Sequence, residues 1–353
     1  MEVGEVSLLL IEGFEQGQVS NAKWNSVNVN ATTAGRARTG SYGSEVDELW
    51  KNLQAPDEDT TLIVGLAWRR TGNIIGNDFI ALTSDWNIVN NDADTIHVTL
   101  QVGSDRNIYV YRGDTSGTLL GNTTDQPVPN IAAYSYYEIK AVLADGVGGS
   151  VEVWLDGVQV LNLAGIDTKN GGTKTDFDSF KVYNGVATAG ARSDMDDIYC
   201  CNGLGAQNND ILGDARVYRA LPNGNGNYSQ LDGSDGNSVN NFQLVDDAPP
   251  NDSDYVQSDV NGEIDSYAYE NFTVGTGAVA AIQILTRARK SDTGAKSFRA
   301  KHRIGGTDYN ESDHSLSQTF TDFFDIVELS PDTAVAWDET ELNAAEWGVE
   351  VRP

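Results

Sequence analysis

Cysteine is almost missing from this chain. Two occur in 353 residues, and they are adjacent, Cys200-Cys201. Neighbouring residues of a strand point to opposite faces, so the pair predicts two free thiols, one buried and one less so, and no disulfide framework. That fits assembly in a reducing cytoplasm. Histidine is scarce too: His97, His302 and His314 lie far apart in sequence. No Cys or His stands at metal-ligand spacing, and no Gly-x-Ser-x-Gly elbow occurs, which argues against zinc and nucleophile-elbow chemistry. Long apolar runs are also lacking. Residues 6–11, VSLLLI, have no basic stretch before them and meet Glu-Gly-Phe-Glu directly. They predict a first strand, not a signal peptide or a membrane span. Positive charge is the last shortage. Twenty-three bases face 52 acids, a net charge of −29. Such a surface repels phosphates and anionic lipid, so neither nucleic acid nor membrane insertion is expected.

What remains is rich in Gly, Asn, Asp, Thr and Ser, the material of short strands and tight turns. No window carries a convincing helical stripe, and residues 338–347 make one or two turns at most. Period-two alternation predicts strands at 8–14, 61–69, 79–83, 97–102, 107–112, 136–143, 150–155, 177–183 and 195–201. A Gly/Asn-rich connector, NGLGAQNNDILG, follows at 202–213. Residues 214–220, DARVYRA, read as a new strand, and 222–254 as a long polar loop. Alternation resumes at 266–273, 278–289, 297–304, 319–328 and 347–352. The fold class is all-β, with two antiparallel β-sandwich domains at 1–213 and 214–353.

The stretch 136–163, YYEIKAVLADGVGGSVEVWLDGVQVLNL, resembles the central hairpins of concanavalin-A-like (laminin-G-like) jelly rolls. Ile139, Ala141 and Leu143 share one face of its first strand. Val151, Val153 and Leu155 share one face of the second, with Trp154 opposite. Further motifs run along the chain: Leu9-Leu-Ile-Glu-Gly-Phe14, Lys23-Trp24, Gly35-Arg36-Ala37-Arg38-Thr39-Gly40, Met195-Asp196-Asp197-Ile198-Tyr199 and Asn208-Asn209-Asp210-Ile211-Leu212-Gly213-Asp214-Ala215-Arg216-Val217. Asp246-Asp247-Ala248-Pro249-Pro250, Gly305-Gly306-Thr307-Asp308-Tyr309 and Trp347-Gly348-Val349-Glu350-Val351 continue the series. In this order they resemble a family of tailed-bacteriophage structural proteins. The resemblance implies a laminin-G-like domain plus a C-terminal β domain in a multi-copy or homo-oligomeric virion protein. Such a protein is assembled in the host cytoplasm among other virion proteins.

Jelly-roll hydrolases of this fold carry Glu-x-Asp-x-x-Glu on one strand, the carboxylate pair of a retaining glycosidase. Nothing here matches, so no catalytic residues and no enzymatic activity are expected. Glu152 and Asp156 share a face, but Asp156 sits in an Asp-Gly turn. Asp196 and Asp197, as strand neighbours, are expected to point apart and form no dyad. Calcium is the one cofactor left open, at Asp194, Asp196 and Asp210, because oxygen ligands from loops suffice for it. Most aromatics belong in a core. Trp86, between Asp85 and Asn87, is the best ring for stacking on a host glycan. Two basic strips, Arg287, Arg289 and Lys290, then Arg299 and Arg303, suggest docking of the second domain on an acidic partner. The expected function is thus a tail or tail-fibre protein with glycan contact. Capsid decoration is the alternative, and a glycan-active enzyme the second. Fibre repeats and coiled-coil heptads are not visible, which favours a compact module.

Overall fold

The structure is a computed structural model that describes residues 7–53, 59–70, 77–84, 95–129, 133–184, 193–273 and 277–353. It divides into two compact units, Met1–Tyr218 and Arg219–Pro353. Both are antiparallel β, and the all-β expectation holds.

The first unit contains β1 (Leu8–Glu12), β2 (Ser26–Thr33), β3 (Gly43–Asn52), β4 (Thr61–Arg70), β5 (Asn77–Ser84), β6 (Thr95–Val102) and β7 (Ile108–Arg112). It continues with β8 (Thr118–Asn122), β9 (Ser135–Val142), β10 (Gly149–Leu155), β11 (Val158–Ile166), β12 (Ser179–Tyr183) and β13 (Ser193–Asn202). Among the described residues they run β11-β10-β9-β4-β13-β3-β12-β5-β6-β7-β8, with β1 beside β13 and β2 beside β3. The two ends approach where Gly121 of β8 meets Leu163 of β11: a Cβ on Gly121 would lie 2.6 Å from Leu163 Cδ2. The sheet thus folds over into a nearly closed sandwich. Its interior is one apolar cluster that includes Leu62, Val64, Leu66 and Trp68 of β4, Ile139 and Ala141 of β9, and Val151, Val153 and Leu155 of β10. Each fully buried large aliphatic contributes about 1.5–3 kcal/mol by leaving water, so this cluster dominates the fold's stability.

The second unit contains β14 (Pro222–Ser229), β15 (Asp232–Gly233), β16 (Val256–Gln257), β17 (Ile264–Tyr269), β18 (Ile282–Ala288), β19 (Ser297–Ile304), β20 (Thr307–Ser315), β21 (Thr321–Val327) and β22 (Glu346–Arg352). One sheet runs β14-β17-β22-β19-β20, and β18 pairs with β21. A small core joins Ile304, Trp337, Ala345 and Trp347. The only α-helix among the described residues is α1 (Glu339–Ala344), whose cap Asp338 accepts from the Glu341 N–H at 2.8 Å.

Three expectations are corrected. Residues 214–220 form no strand. The polar stretch after Pro222 begins with a strand, β14, held by pairing with β17. Strands β2, β3, β8 and β20 carried no clear alternation. β20, TDYNESDHS, is almost wholly polar and is fixed by its ladder to β19.

Candidate functional site

Alternation in the first unit dictates a second, polar face. With Val64 and Leu66 turned inward, β4 presents Ile63, Gly65 and Ala67 on the other side. By the same rule β9 presents Tyr136, Glu138 and Lys140, and β10 presents Glu152 and Trp154. The register lines three of these residues and Tyr199 of β13 into one row across the sheet. Trp154 pairs with Glu138, Glu138 with Gly65, and Gly65 with Tyr199. The absent side chain of Gly65 makes the row possible. A Cβ there would lie 2.2 Å from Tyr199 Cε1, so the tyrosine ring rests on the bare backbone. From that position its hydroxyl donates to Glu138 Oε1 at 2.5 Å.

The connector closes over this row. The Leu212 N–H donates to Tyr199 Oη at 3.1 Å, and the Gly213 N–H to Glu138 Oε1 at 2.8 Å. Lys140 Nζ holds Asp210 at 2.8 Å. The Val217 N–H donates to Asp197 Oδ1 at 2.8 Å. Between the connector and β10 an open groove of about 340 Å³ remains, lined by Glu152, Trp154, Gly157, Asp210, Ile211, Leu212 and Gly213. Glu138 is fully buried. Burial outweighs its hydrogen bonds to Tyr199 and the connector and pushes its carboxyl up to about 7. Burial also pushes the Tyr199 hydroxyl well above the usual phenol range.

Beside the row lies a buried ion-pair network. Arg36 joins Asp194 and Glu45, and Arg69 meets Asp194 at 2.7 Å. Arg38 meets Asp197 at 2.8 Å, pairs with Asp214 and covers the Tyr136 ring. Asp197 has a positive φ of 51°, at a bulge in β13. That break defeats the alternation rule. Asp196 Oδ2 accepts from the N–H groups of Arg38 and Thr39 at 2.7 and 3.1 Å. Asp197 Oδ2 accepts from Arg38 Nη1 and Thr39 Oγ1, both at 2.8 Å. Contrary to expectation, the two carboxylates meet the same pair of residues. Burial and the neighbouring Asp197 charge push Asp196 up to about 8.

The calcium candidates are not brought together. Asp194 is taken by Arg36 and Arg69, Asp196 by backbone N–H groups, and Asp210 by Lys140. No group of three metal-ligating side chains occurs among the described residues. Asp85, Trp86 and Asn87 lie outside the described residues. The basic strips are engaged within their own unit. Arg287 pairs with Asp252 and Asp322, Arg299 with Glu350, and Arg303 with Asp308. Arg289 covers Phe320, and Lys290 donates to the Gly294 carbonyl. His97 accepts from the Asn170 N–H through Nδ1 and meets Ser84 Oγ through Nε2, a structural role. Neither cysteine forms a disulfide, and both are fully buried, where one of the two was expected to be less so.

The motifs of the first unit converge on the same region. Glu12 accepts from the Phe14 N–H and from Trp24 Nε1, and Lys23 meets it at 3.4 Å. Gly40 has φ 62°, and a Cβ there would strike the Glu15 carboxylate, which caps the N–H groups of Ser41 and Tyr42. Sequence reasoning missed Glu138, Lys140 and Tyr199. The available signal was a lone Gly65 in the apolar run LIVGLAW, which marks a close approach.

No protein-family model matches the chain, and no curated protein matches it. Solved structures match a little over half of the chain in shape. They include an endo-β-1,4-glucuronan lyase from Trichoderma reesei, at 13% identity and TM-score 0.42 over 55% of this chain and 95% of that one. An alginate lyase from Aplysia kurodai matches at 8% identity and TM-score 0.42, over 56% and 100%. A carbohydrate esterase from the Shiga toxin-encoding bacteriophage phi24B matches at 11% and 0.37, over 57% and 100%. The expectation that the chain is not an enzyme is therefore corrected. Structures similar to it are glycan-active enzymes, and the missing Glu-x-Asp-x-x-Glu excludes one hydrolase design, not catalysis. At such identities and scores no activity and no catalytic residue transfers to this chain.

Proposed function

We propose that the chain is a multi-copy structural protein of a tailed-phage virion, carried on the tail, whose first unit contacts host-surface glycan. One observation carries this reading most. The short motifs that resemble the phage family are the residues that staple β1, the loop at 34–43, β13 and the connector into one buried network. The residues that carry the likeness are thus structural ones in this domain. The net charge of −29 agrees with copies held apart in solvent and away from packaged DNA. The basic strips give docking through the second unit less support, because Arg287, Arg299 and Arg303 are paired with acids inside it. Gold-labelled antibody against the first unit, imaged on intact particles, tests the location. Label on the tail supports the reading, and label confined to the head replaces it with capsid decoration.

A second reading, a virion-borne glycan-active enzyme, is favoured by Glu138. A carboxyl held near 7 beside a groove suits proton transfer at neutral pH. Its test is turnover of a polysaccharide that Glu138→Gln abolishes while the fold persists.

A further inference from the structure

The groove of the first unit carries two polar atoms that the protein leaves unmatched. Trp154 Nε1 and Glu138 Oε2 are both buried without a hydrogen-bond partner among the described residues. They belong to directly paired residues of β10 and β9, so they stand side by side on one face. Trp154 lines the groove on one side. Gly213 lines it on the other and donates to the second oxygen of the same carboxylate. Glu138 is thus hydrogen-bonded to a residue of one wall and strand-paired with a residue of the other. One unmatched atom is an obligate donor and the other a carboxylate acceptor. A hydroxyl group, which accepts one hydrogen bond and donates another, satisfies both at once. Buried polar groups left unmatched by the protein call for such a partner.

We propose that this groove binds a neutral saccharide, with one ring seated on the Trp154 indole and one hydroxyl shared between Trp154 Nε1 and Glu138 Oε2. The indole gives the apolar face that a pyranose C–H surface stacks on. Glu152 and Asp210 at the rim offer further acceptors for hydroxyls. The same acids set the charge class. Two carboxylates, Glu152 and Asp210, line the groove with Glu138 buried behind Trp154, and the nearby Lys140 is already bonded to Asp210. A uronate or sialate would meet like charge there. The volume, about 340 Å³, suits one or two sugar units. The proposal stands whether or not the chain belongs to a virion.

Ligand-observed NMR on the full chain tests it, with maltohexaose, cellohexaose and chitohexaose as neutral probes and an alginate oligomer as the anionic one. At least one neutral probe is expected to bind at millimolar or lower concentration, and alginate more weakly. Trp154→Phe keeps a ring and removes the donor, and is expected to weaken binding about fivefold, the loss of one hydrogen bond. Glu138→Gln is expected to do the same, with its melting temperature confirming the fold. Trp154→Phe sits at the groove wall and carries the test if the buried variant unfolds. No binding of any neutral probe at 10 mM (roughly the weakest useful affinity) overturns the proposal. So does tighter binding of alginate, or neutral binding that Trp154→Phe leaves unchanged.

Discussion

The ring of Tyr199 lies over Gly65, at a β4 position where any side chain would collide with it. The hydroxyl it carries then reaches Glu138 and receives the Leu212 N–H. One missing methyl group therefore decides how the connector attaches to the sheet. Gly65→Ala should displace the ring and cost about 1–3 kcal/mol through overpacking. Tyr199→Phe should cost about 1–3 kcal/mol by leaving the Leu212 N–H without an acceptor and removing one of the two donors to Glu138 Oε1. Urea unfolding followed by tryptophan fluorescence measures both.

Glu138 and Asp196 predict an inverted pH dependence. Their folded carboxyls are raised to about 7 and about 8, above ordinary acid values. The folded state then holds protons more tightly than the unfolded one. Their contribution is fully present below about pH 4 and is lost as pH rises through 7 to 8. The first unit should therefore be more stable at pH 5.5 than at pH 8.5. Glu138→Gln should flatten that slope. A first unit that gains stability on going from pH 5.5 to 8.5 contradicts the assignment.

The end of the first unit lies beyond the connector. A chain ended at residue 218 should fold alone. A chain ended at residue 213 loses the Val217 N–H on Asp197 and the Asp214 and Ala215 partners of Arg38. It should be less stable by about 2–3 kcal/mol. Comparing the melting temperatures of the two fragments checks this, and equal values would show that residues 214–218 are dispensable.

Sequence alone revealed strands with clean apolar alternation, because burial of one face writes itself as period two. It did not reveal β20 or β14, whose polar residues are held by neighbours rather than by a core. The site was less legible still. The row Trp154, Glu138, Gly65, Tyr199 joins four strands through register, which no local pattern encodes. Asp196 and Asp197 misled for a related reason. Strand periodicity assigns them to opposite faces, and the bulge at Asp197 cancels it. The calcium and docking candidates were chosen by charge, and charge in sequence does not show which partner is already taken.

Both thiols should resist alkylation in the native state. Cys200 and Cys201 are fully buried, and burial pushes the Cys200 thiol well above its usual range. Mass measurement should find two labels in denaturant without reductant, and none before unfolding. Rapid native labelling would contradict the packing of β13 against the sheet and connector.

Quantitative mass spectrometry of gradient-purified particles of the encoding phage tests the central proposal most directly. The account predicts this chain in many copies per particle, retained through high-salt washing. Its absence from washed particles, with the protein recovered free in the lysate, would contradict it.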